Sequence, residues 1–200
     1  MNFARQRIEN ELRLHFADKP VDNLVRIIPN NEDVMNLKGI ITGVPGTPWE
    51  GGSYELEINI PPNYPYEAPK MRFLTRIWHP YISPLDGSLC LQDSDNKWPI
   101  PMSIYKTLLV IQSWMTNFEE KEPLDMAIFA QAKNSKEIFE KTAKFWAIKY
   151  GNVHGPIDQD LERKVQLLAR HTKDIDSAVV ALSYRNWELP DDVNNEELRG

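Results

Sequence analysis

One stretch decides how the chain is interpreted: Ile77-Trp78-His79-Pro80-Tyr81-Ile82-Ser83-Pro84-Leu85-Asp86-Gly87-Ser88-Leu89-Cys90-Leu91. It carries the single cysteine of the 200 residues. A lone thiol is either a small buried hydrophobe or a nucleophile. Composition by itself favours the buried hydrophobe, yet Cys90 has no long apolar run around it that could bury it. Both interpretations stay open at this point.

Prolines are concentrated around this stretch. Eight of the fifteen prolines lie between residues 61 and 103. Proline fixes the backbone angle φ and removes a hydrogen-bond donor, so the pattern predicts a long, rigid segment without regular structure. A loop of that length inside a compact domain is usually functional. We therefore expect the active region to lie here.

Short elements precede the proline-rich segment. Ile8, Leu12 and Phe16 recur every four residues and predict a helix over residues 3–16. Apolar and polar residues alternate along residues 54–60, which is typical of a half-buried strand. Short connections favour an antiparallel meander with one face packed on helices, which is an α+β fold. The four predicted strands lie at 25–28, 37–42, 54–60 and 71–74.

Helices are predicted after the proline-rich segment. Apolar residues at 4-3-4-3 spacing predict one helix over residues 104–118, and a pair follows at 125–132 and 135–150. The stretch 151–156 contains two glycines and a proline and predicts a hinge. The predicted organisation is a main domain at 1–150, the hinge, and a small helical appendix at 157–200. We expect the acidic end of the appendix to fray.

Composition excludes several classes of function. The net charge of −6 argues against general nucleic-acid binding, which needs a basic face. No apolar stretch approaches the roughly 20 residues that span a bilayer, and no signal peptide is recognisable, so we expect a cytoplasmic protein that is also compatible with the nucleus. One cysteine and four scattered histidines lack the spacing of metal ligands, and no cofactor is expected.

A series of short motifs resembles the ubiquitin-conjugating enzymes. The resemblance covers residues 3–150, and Cys90 follows His79 by eleven residues, as in that family. Each motif is weak alone, but their order on this layout is specific. The motifs are Pro48-Trp49-Glu50-Gly51-Gly52, Tyr64-Pro65-Tyr66-Glu67-Ala68-Pro69, His79-Pro80, Gly87, Leu89-Cys90-Leu91, Trp98 and Ile111-Gln112-Ser113.

The helical appendix at 157–200, called the tail below, resembles the C-terminal ubiquitin-associated domain that one class of these enzymes carries. Val179-Val180-Ala181-Leu182-Ser183 and Asn186-Trp187 are similar to the second helix of that domain and the turn after it. The domain usually presents a Met-Gly-Phe loop to ubiquitin, whereas His171-Thr172-Lys173 stands here. Because polar groups replace an apolar anchor, we expect the tail to pack on the main domain without binding ubiquitin.

The resemblance implies a thioester carrier. An ATP-driven activating enzyme would pass ubiquitin to Cys90, and a lysine would then attack the thioester, usually with a ubiquitin ligase bound. A thioester is already activated, so the chemistry needs little beyond a positioned thiol. Two alternatives stay open: a non-catalytic adaptor that binds ubiquitin or a ligase, and a carrier for a ubiquitin-like modifier. ATP binding by this chain itself is also left open.

Three further residues are candidates for the catalytic site by resemblance. His79 could act as a general base, but a structural role within its loop is favoured. Tyr81 stands where the family motif His-Pro-Asn has an asparagine that is thought to stabilise the oxyanion. Its hydroxyl can donate, but with a different reach, so we expect slower transfer to lysine. Asp125 would help orient the incoming lysine, or it caps a helix.

The resemblance also implies a surface for the activating enzyme and the ligase. It would combine the first helix with two loops, through Arg5, Arg7, Tyr66, Ile100 and Pro101. Exposed aromatic and proline side chains make good anchors, although Tyr66 could equally be packed between its neighbouring prolines.

Overall fold

The computed structural model describes residues 3–18, 24–91, 98–118 and 122–197. Within these ranges the element order confirms the predicted α+β fold. The elements are α1 (Phe3–Asp18), β1 (Val25–Ile28), β2 (Asn36–Thr42), β3 (Ser53–Asn59), β4 (Lys70–Phe73), α2 (Ile104–Ser113), α3 (Met126–Asn134), α4 (Lys136–Tyr150), α5 (Gln159–Thr172), α6 (Ile175–Tyr184) and α7 (Asp191–Glu197).

The strands form one antiparallel sheet in the order β1-β2-β3-β4, which is the predicted meander. Ile41 of β2 lies opposite Val25 on one side and Tyr54 on the other, and Leu56 lies opposite Phe73. All five side chains are buried. Because side chains alternate along a strand, this register places one apolar face against the helices and leaves the other face to solvent.

Helix α2 is shorter than its apolar spacing predicts. The helix was expected to reach Phe118, but it ends at Ser113. Two hydroxyls compete with the helical pattern here: Ser113 Oγ donates to the Val110 carbonyl at 2.7 Å, and Thr116 Oγ1 donates to the Ser113 carbonyl at 2.8 Å. The Trp114 carbonyl therefore lies beyond the last helical turn, where a side chain from another segment can reach it.

Glu11 fastens α1 to the proline-rich segment. Its side chain is only 12% exposed, and its Oε1 accepts from Arg7 Nε at 2.7 Å and from the Tyr64 hydroxyl at 2.8 Å. Its Oε2 accepts from the backbone N–H of Ile104 at 3.0 Å, at the start of α2. One carboxylate thus joins two helices and a loop that are far apart in sequence.

The C-terminal helices pack on α3 and α4 through directed hydrogen bonds. Trp146 Nε1 donates to Ser183 Oγ at 2.9 Å, and Trp187 Nε1 donates to Thr142 Oγ1 at 2.8 Å. These four side chains are buried. Val193 of α7 is also buried, so the acidic end that was expected to fray forms a helix with an apolar residue packed inward.

The predicted hinge begins at a fixed point. Gly151 is buried, and its carbonyl accepts from the N–H of Ser53 in β3 at 2.8 Å. A Cβ at this position would lie 2.9 Å from the Ala147 carbonyl oxygen, so the close approach requires glycine. Residues 152–156 then connect irregularly to α5. The predicted domain boundary and the flexibility of this connection stay predictions.

The Glu11 network gives a test of stability. Glu11→Ala should lower the free energy of unfolding by about 3 kcal/mol, because the Tyr64 hydroxyl and the Ile104 N–H lose a charged acceptor in a mostly buried site. Urea denaturation measures this change. Glu9→Ala is the matched control: Glu9 also pairs with an arginine one turn earlier, but both side chains are half exposed, so a loss below about 0.5 kcal/mol is expected. Equal losses in the two variants would contradict this account.

Candidate active site

Backbone pairing holds the loop that carries the cysteine. Ile82 pairs with Leu89, and Ser88 pairs with Arg72 of β4. Between them the chain turns back through residues 83–87, and the N–H of Ser83 donates to the Ser88 carbonyl at 2.9 Å. The loop is therefore a narrow hairpin attached to the edge of the sheet.

Gly87 allows this hairpin to lie close to the sheet. Its φ is +74°, and a Cβ there would lie 2.0 Å from the Phe73 carbonyl oxygen. The Gly87 carbonyl accepts from the N–H of Phe73 at 2.8 Å. Only glycine combines this backbone angle with this approach. Cys90 follows within three residues, so its position is fixed by the attachment.

Cys90 is exposed. The interpretation as a buried hydrophobe is therefore wrong. The thiol-bearing residue lines a surface cavity of about 280 Å³ between Glu67–Met71 and Leu89–Leu91. The cavity is open to solvent beside the residue that carries the thiol.

His79 is fully buried and both of its ring nitrogens are engaged. Nδ1 accepts from the N–H of Tyr81 at 3.1 Å, which leaves the proton on Nε2, and Nε2 lies 3.0 Å from the Trp114 carbonyl to which it donates. Burial lowers the pKa of His79 to about 4, although the bond to the Trp114 carbonyl opposes this shift. His79 is neutral at pH 7 and has no lone pair available to take a proton, so the geometry supports the structural role.

Tyr81 points into the core. Its side chain is 1% exposed, its ring packs edge-on against Trp114 at 5.5 Å, and its hydroxyl donates to the Phe118 carbonyl. A phenol has one hydrogen to donate. A role of Tyr81 as an oxyanion donor would therefore require this bond to break, and the catalytic assignment stays a prediction.

Asp125 caps α3 and also touches the loop. Its Oδ1 accepts from the N–H groups of Ala127 and Ile128, each at 3.0 Å. Its own N–H donates to the carbonyl of Pro80 at 3.0 Å, directly after His79. Asp125 therefore caps α3, as one of the two alternatives predicted. The same residue is hydrogen-bonded to the segment that leads to Cys90. A role toward an incoming lysine stays a prediction.

Among the residues in the described ranges, no three His, Cys, Asp or Glu side chains are grouped so that they could hold a metal ion. Within the same ranges, no helix is both long and apolar enough to cross a membrane.

Comparison with known proteins identifies the family in which this arrangement occurs. The family model described as "Ubiquitin-conjugating enzyme" matches residues 7–147. The chain belongs to the ubiquitin-conjugating enzyme family.

Individual relatives extend the similarity to the tail. The chain is 35% identical over 190 residues to ubiquitin-conjugating enzyme E2 K of Homo sapiens, covering 94% of each chain. It is 36% identical over 190 residues to ubiquitin-conjugating enzyme E2-22 kDa of Drosophila melanogaster, again covering 94% of each. The solved E2 domain of a Toxoplasma gondii ubiquitin conjugating enzyme matches with a TM-score of 0.64 and 34% identity, covering 73% of this chain and 97% of that chain.

Most of the residues predicted for the partner surface of this ubiquitin-conjugating enzyme are exposed. Tyr66 is 68% exposed and stacks on Phe3 with ring centroids 6.1 Å apart, so it is not packed between its prolines. Ile100 and Pro101 are exposed as well. Arg5 is exposed and pairs with a glutamate of its own helix. These features are compatible with a docking surface, whose partners stay a prediction.

Arg7 lies in a different environment from the rest of that set. It is about one-third exposed, and it pairs with Glu11 inside the network that joins α1 to Tyr64. The hydrogen bond with Glu11 is the main cause that raises the pKa of Arg7. The structure thus gives Arg7 a stabilising role that the sequence did not reveal.

Two residues that the sequence analysis missed connect the loop to the tail. Gln131 accepts from Trp78 Nε1 at 2.8 Å and donates to the Ser183 carbonyl at 3.0 Å. Tyr184 packs edge-on against Trp78 at 5.0 Å and donates to Asp125. A polar residue at an otherwise apolar helix position was the only signal for Gln131, and no signal pointed to Tyr184.

The buried imidazole predicts a pH dependence of stability. The pKa of His79 is about 4 in the folded chain and about 6.5 when unfolded, so the unfolded state binds the extra proton between these values. The contribution of the neutral His79 ring to the free energy of unfolding is fully present above about pH 6.5 and is lost as the pH falls towards 4. The free energy of unfolding should decrease by about 2 kcal/mol from pH 7 to pH 5 because of this residue alone.

Urea denaturation at several pH values measures this effect. His79→Gln should be less stable at pH 7 but should lose less stability on acidification than the parent chain. His154→Gln, at an exposed histidine, should keep the parent profile. If His79→Gln does not fold, NMR of the parent chain provides the same test, since the His79 ring should not titrate above pH 5. A His79 signal that titrates near pH 6.5 would refute the argument.

Proposed function

We propose that this ubiquitin-conjugating enzyme accepts ubiquitin from an activating enzyme as a thioester on Cys90 and transfers it to lysine, with a ubiquitin ligase as partner. The observation that carries the proposal is the exposed Cys90 on a loop attached to the sheet, in a chain of this family. The Cys90 thiolate attacks the activated carbonyl carbon of ubiquitin and displaces the group through which the activating enzyme holds it. The lysine amine later attacks the same carbon and displaces the Cys90 thiolate. The second step is favourable because the Cys90 thiolate is a better leaving group than the lysine amine that replaces it.

A loading assay tests the proposal. The full chain incubated with activating enzyme, ATP and ubiquitin should give an adduct on a non-reducing gel that disappears on adding a thiol reductant. Cys90→Ala should form none, since the nucleophile is gone. Ser88→Ala is the matched control and should load normally, because the Ser88 pairing with β4 uses backbone groups. An adduct that persists in Cys90→Ala, or none with the parent chain, would refute the proposal. If the parent chain forms no adduct with ubiquitin or with any ubiquitin-like modifier, the non-catalytic adaptor is favoured.

We also propose that Tyr81 slows the transfer to lysine. In the described loop its hydroxyl is committed to the Phe118 carbonyl, and no amide stands in its place to donate to the oxyanion. One oxyanion donor contributes roughly 3 kcal/mol in enzymes of acyl transfer.

Replacement of this side chain tests the idea. Tyr81→Asn should discharge preloaded ubiquitin to l-lysine roughly a hundredfold faster than the parent chain, since it supplies an amide donor. Tyr81→Leu is the control, because it removes the same buried ring without supplying a donor. The rate of thioester loss in single-turnover assays is the measurement. An asparagine variant that is no faster than the parent chain would remove the support for this role.

We propose that α5, α6 and α7 form a ubiquitin-associated-like unit. Its support is the three-helix arrangement and the resemblance of the second helix. The loop that would face ubiquitin ends α5 with Lys173 at φ 59°, and its residues His171, Thr172 and Lys173 are exposed and polar. A polar loop offers little apolar area to a partner, so we propose that the unit acts mainly through its contact with the rest of the chain.

A further inference from the structure

The side chain of Tyr184, at the end of α6, contacts Asp125, which lies beside the loop that carries Cys90 (residues 77–91, the active loop). Its hydroxyl donates to Asp125 Oδ2 across 59 positions of sequence. Its ring lies edge-on to Trp78 at 5.0 Å, directly before His79. The tail therefore touches the active region through one side chain in two ways: by ring packing and by a hydrogen bond.

The two oxygens of Asp125 have separate partners. Oδ1 accepts from the first N–H groups of α3, at Ala127 and Ile128, each at 3.0 Å. Oδ2 accepts from Tyr184. The cap alone leaves the carboxylate able to tilt about its Oδ1 contacts, whereas a second partner on the other oxygen defines the plane of the group.

The backbone of Asp125 is attached to the loop as well. The N–H groups of Leu124 and Asp125 both donate to the Pro80 carbonyl at 3.0 Å. Pro80 lies in the segment that pairs through Ile82 with Leu89, next to Cys90. The backbone of Asp125 thus contacts the loop, and its side chain contacts the tail.

We propose that Tyr184 is a positioning residue for the transfer step: it holds the Asp125 carboxylate in the orientation that receives the incoming lysine. This inference rests on the proposed function of Cys90. In that step the lysine ammonium gives one proton to solvent, and the amine nitrogen bonds to the thioester carbonyl carbon. The C–S bond then breaks with its electron pair leaving on the Cys90 sulfur, and the nitrogen loses its second proton to solvent or to the departing thiolate. Tyr184 takes no part in these bonds and acts through Asp125.

A second tyrosine provides a matched comparison. Tyr150 of α4 donates to Asp176 Oδ1 of α6 at 2.7 Å, so it also joins the tail to the main domain by a phenol–carboxylate bond. It does not contact Asp125 in the described bonds. Tyr150→Phe and Tyr184→Phe therefore remove the same kind of bond from the same interface, and only one of these bonds leads to the active loop.

The experiment uses the full chain preloaded with ubiquitin, with the activating enzyme then stopped by removal of magnesium. The rate of discharge is followed against the concentration of l-lysine. Tyr184→Phe should lower the maximal rate roughly fivefold with little change in the lysine concentration at half-maximal rate. Tyr150→Phe should discharge as the parent chain does, although it should cost at least as much thermal stability, because its bond to Asp176 is the more buried of the two.

Asp125→Asn completes a double-mutant cycle. If Tyr184 acts through Asp125, Tyr184→Phe should have little further effect once Asp125 is replaced. The inference is overturned if Tyr184→Phe discharges at the parent rate, if Tyr150→Phe slows the reaction equally, or if the two changes at 125 and 184 are additive. Failure of the parent chain to load at all would appear at the earlier step, and it would overturn the proposed function instead.

Discussion

The position of the thiol depends on one buried imidazole. His79 accepts from the Tyr81 N–H on one ring nitrogen and donates to the Trp114 carbonyl from the other. The first bond shapes the loop, and the second ties it to the chain just beyond α2. Both are made without solvent competition, so each is costly to lose. The early end of α2 is part of the same arrangement, because a continuing helix would have used the Trp114 carbonyl itself.

Sequence reasoning was most successful where the signal is local or periodic. Alternation from Tyr54 to Ile60 predicted β3 within one residue at each end, and the His79-to-Cys90 spacing located the active loop. It failed where a partner lies far along the chain. Gln131, which accepts from Trp78, is 53 positions away from it, and Tyr184, which donates to Asp125, is 59 positions away; no local pattern encodes either pair. The prediction for Arg7 missed its structural role because the other partners of Glu11, Tyr64 and Ile104, lie 53 and 93 positions further along the chain.

The C-terminal helices are bound to the main domain by specific polar pairs in addition to apolar packing. Gln131 illustrates the difference: it satisfies Trp78 with its oxygen and the tail with its amide hydrogens. Apolar contacts depend only weakly on orientation, whereas a buried hydrogen bond requires a limited range of distance and angle. The tail therefore has a defined orientation on α3 and α4, and the bonds of Gln131 and Tyr184 connect it to Trp78 and Asp125 beside the segment that holds Cys90.

The tryptophans at this boundary also give the molecule an optical property. Three of the six indoles, those of Trp78, Trp146 and Trp187, donate their N–H to partners at or beside the contact with the tail. Indole emission depends on hydration and hydrogen bonding, so separation of the tail would change the intrinsic fluorescence of the chain. Cys90, being exposed and the single thiol, would accept a dye at one defined site. The native residues thus supply both a set of emitters at the interface and a unique attachment point in the active loop.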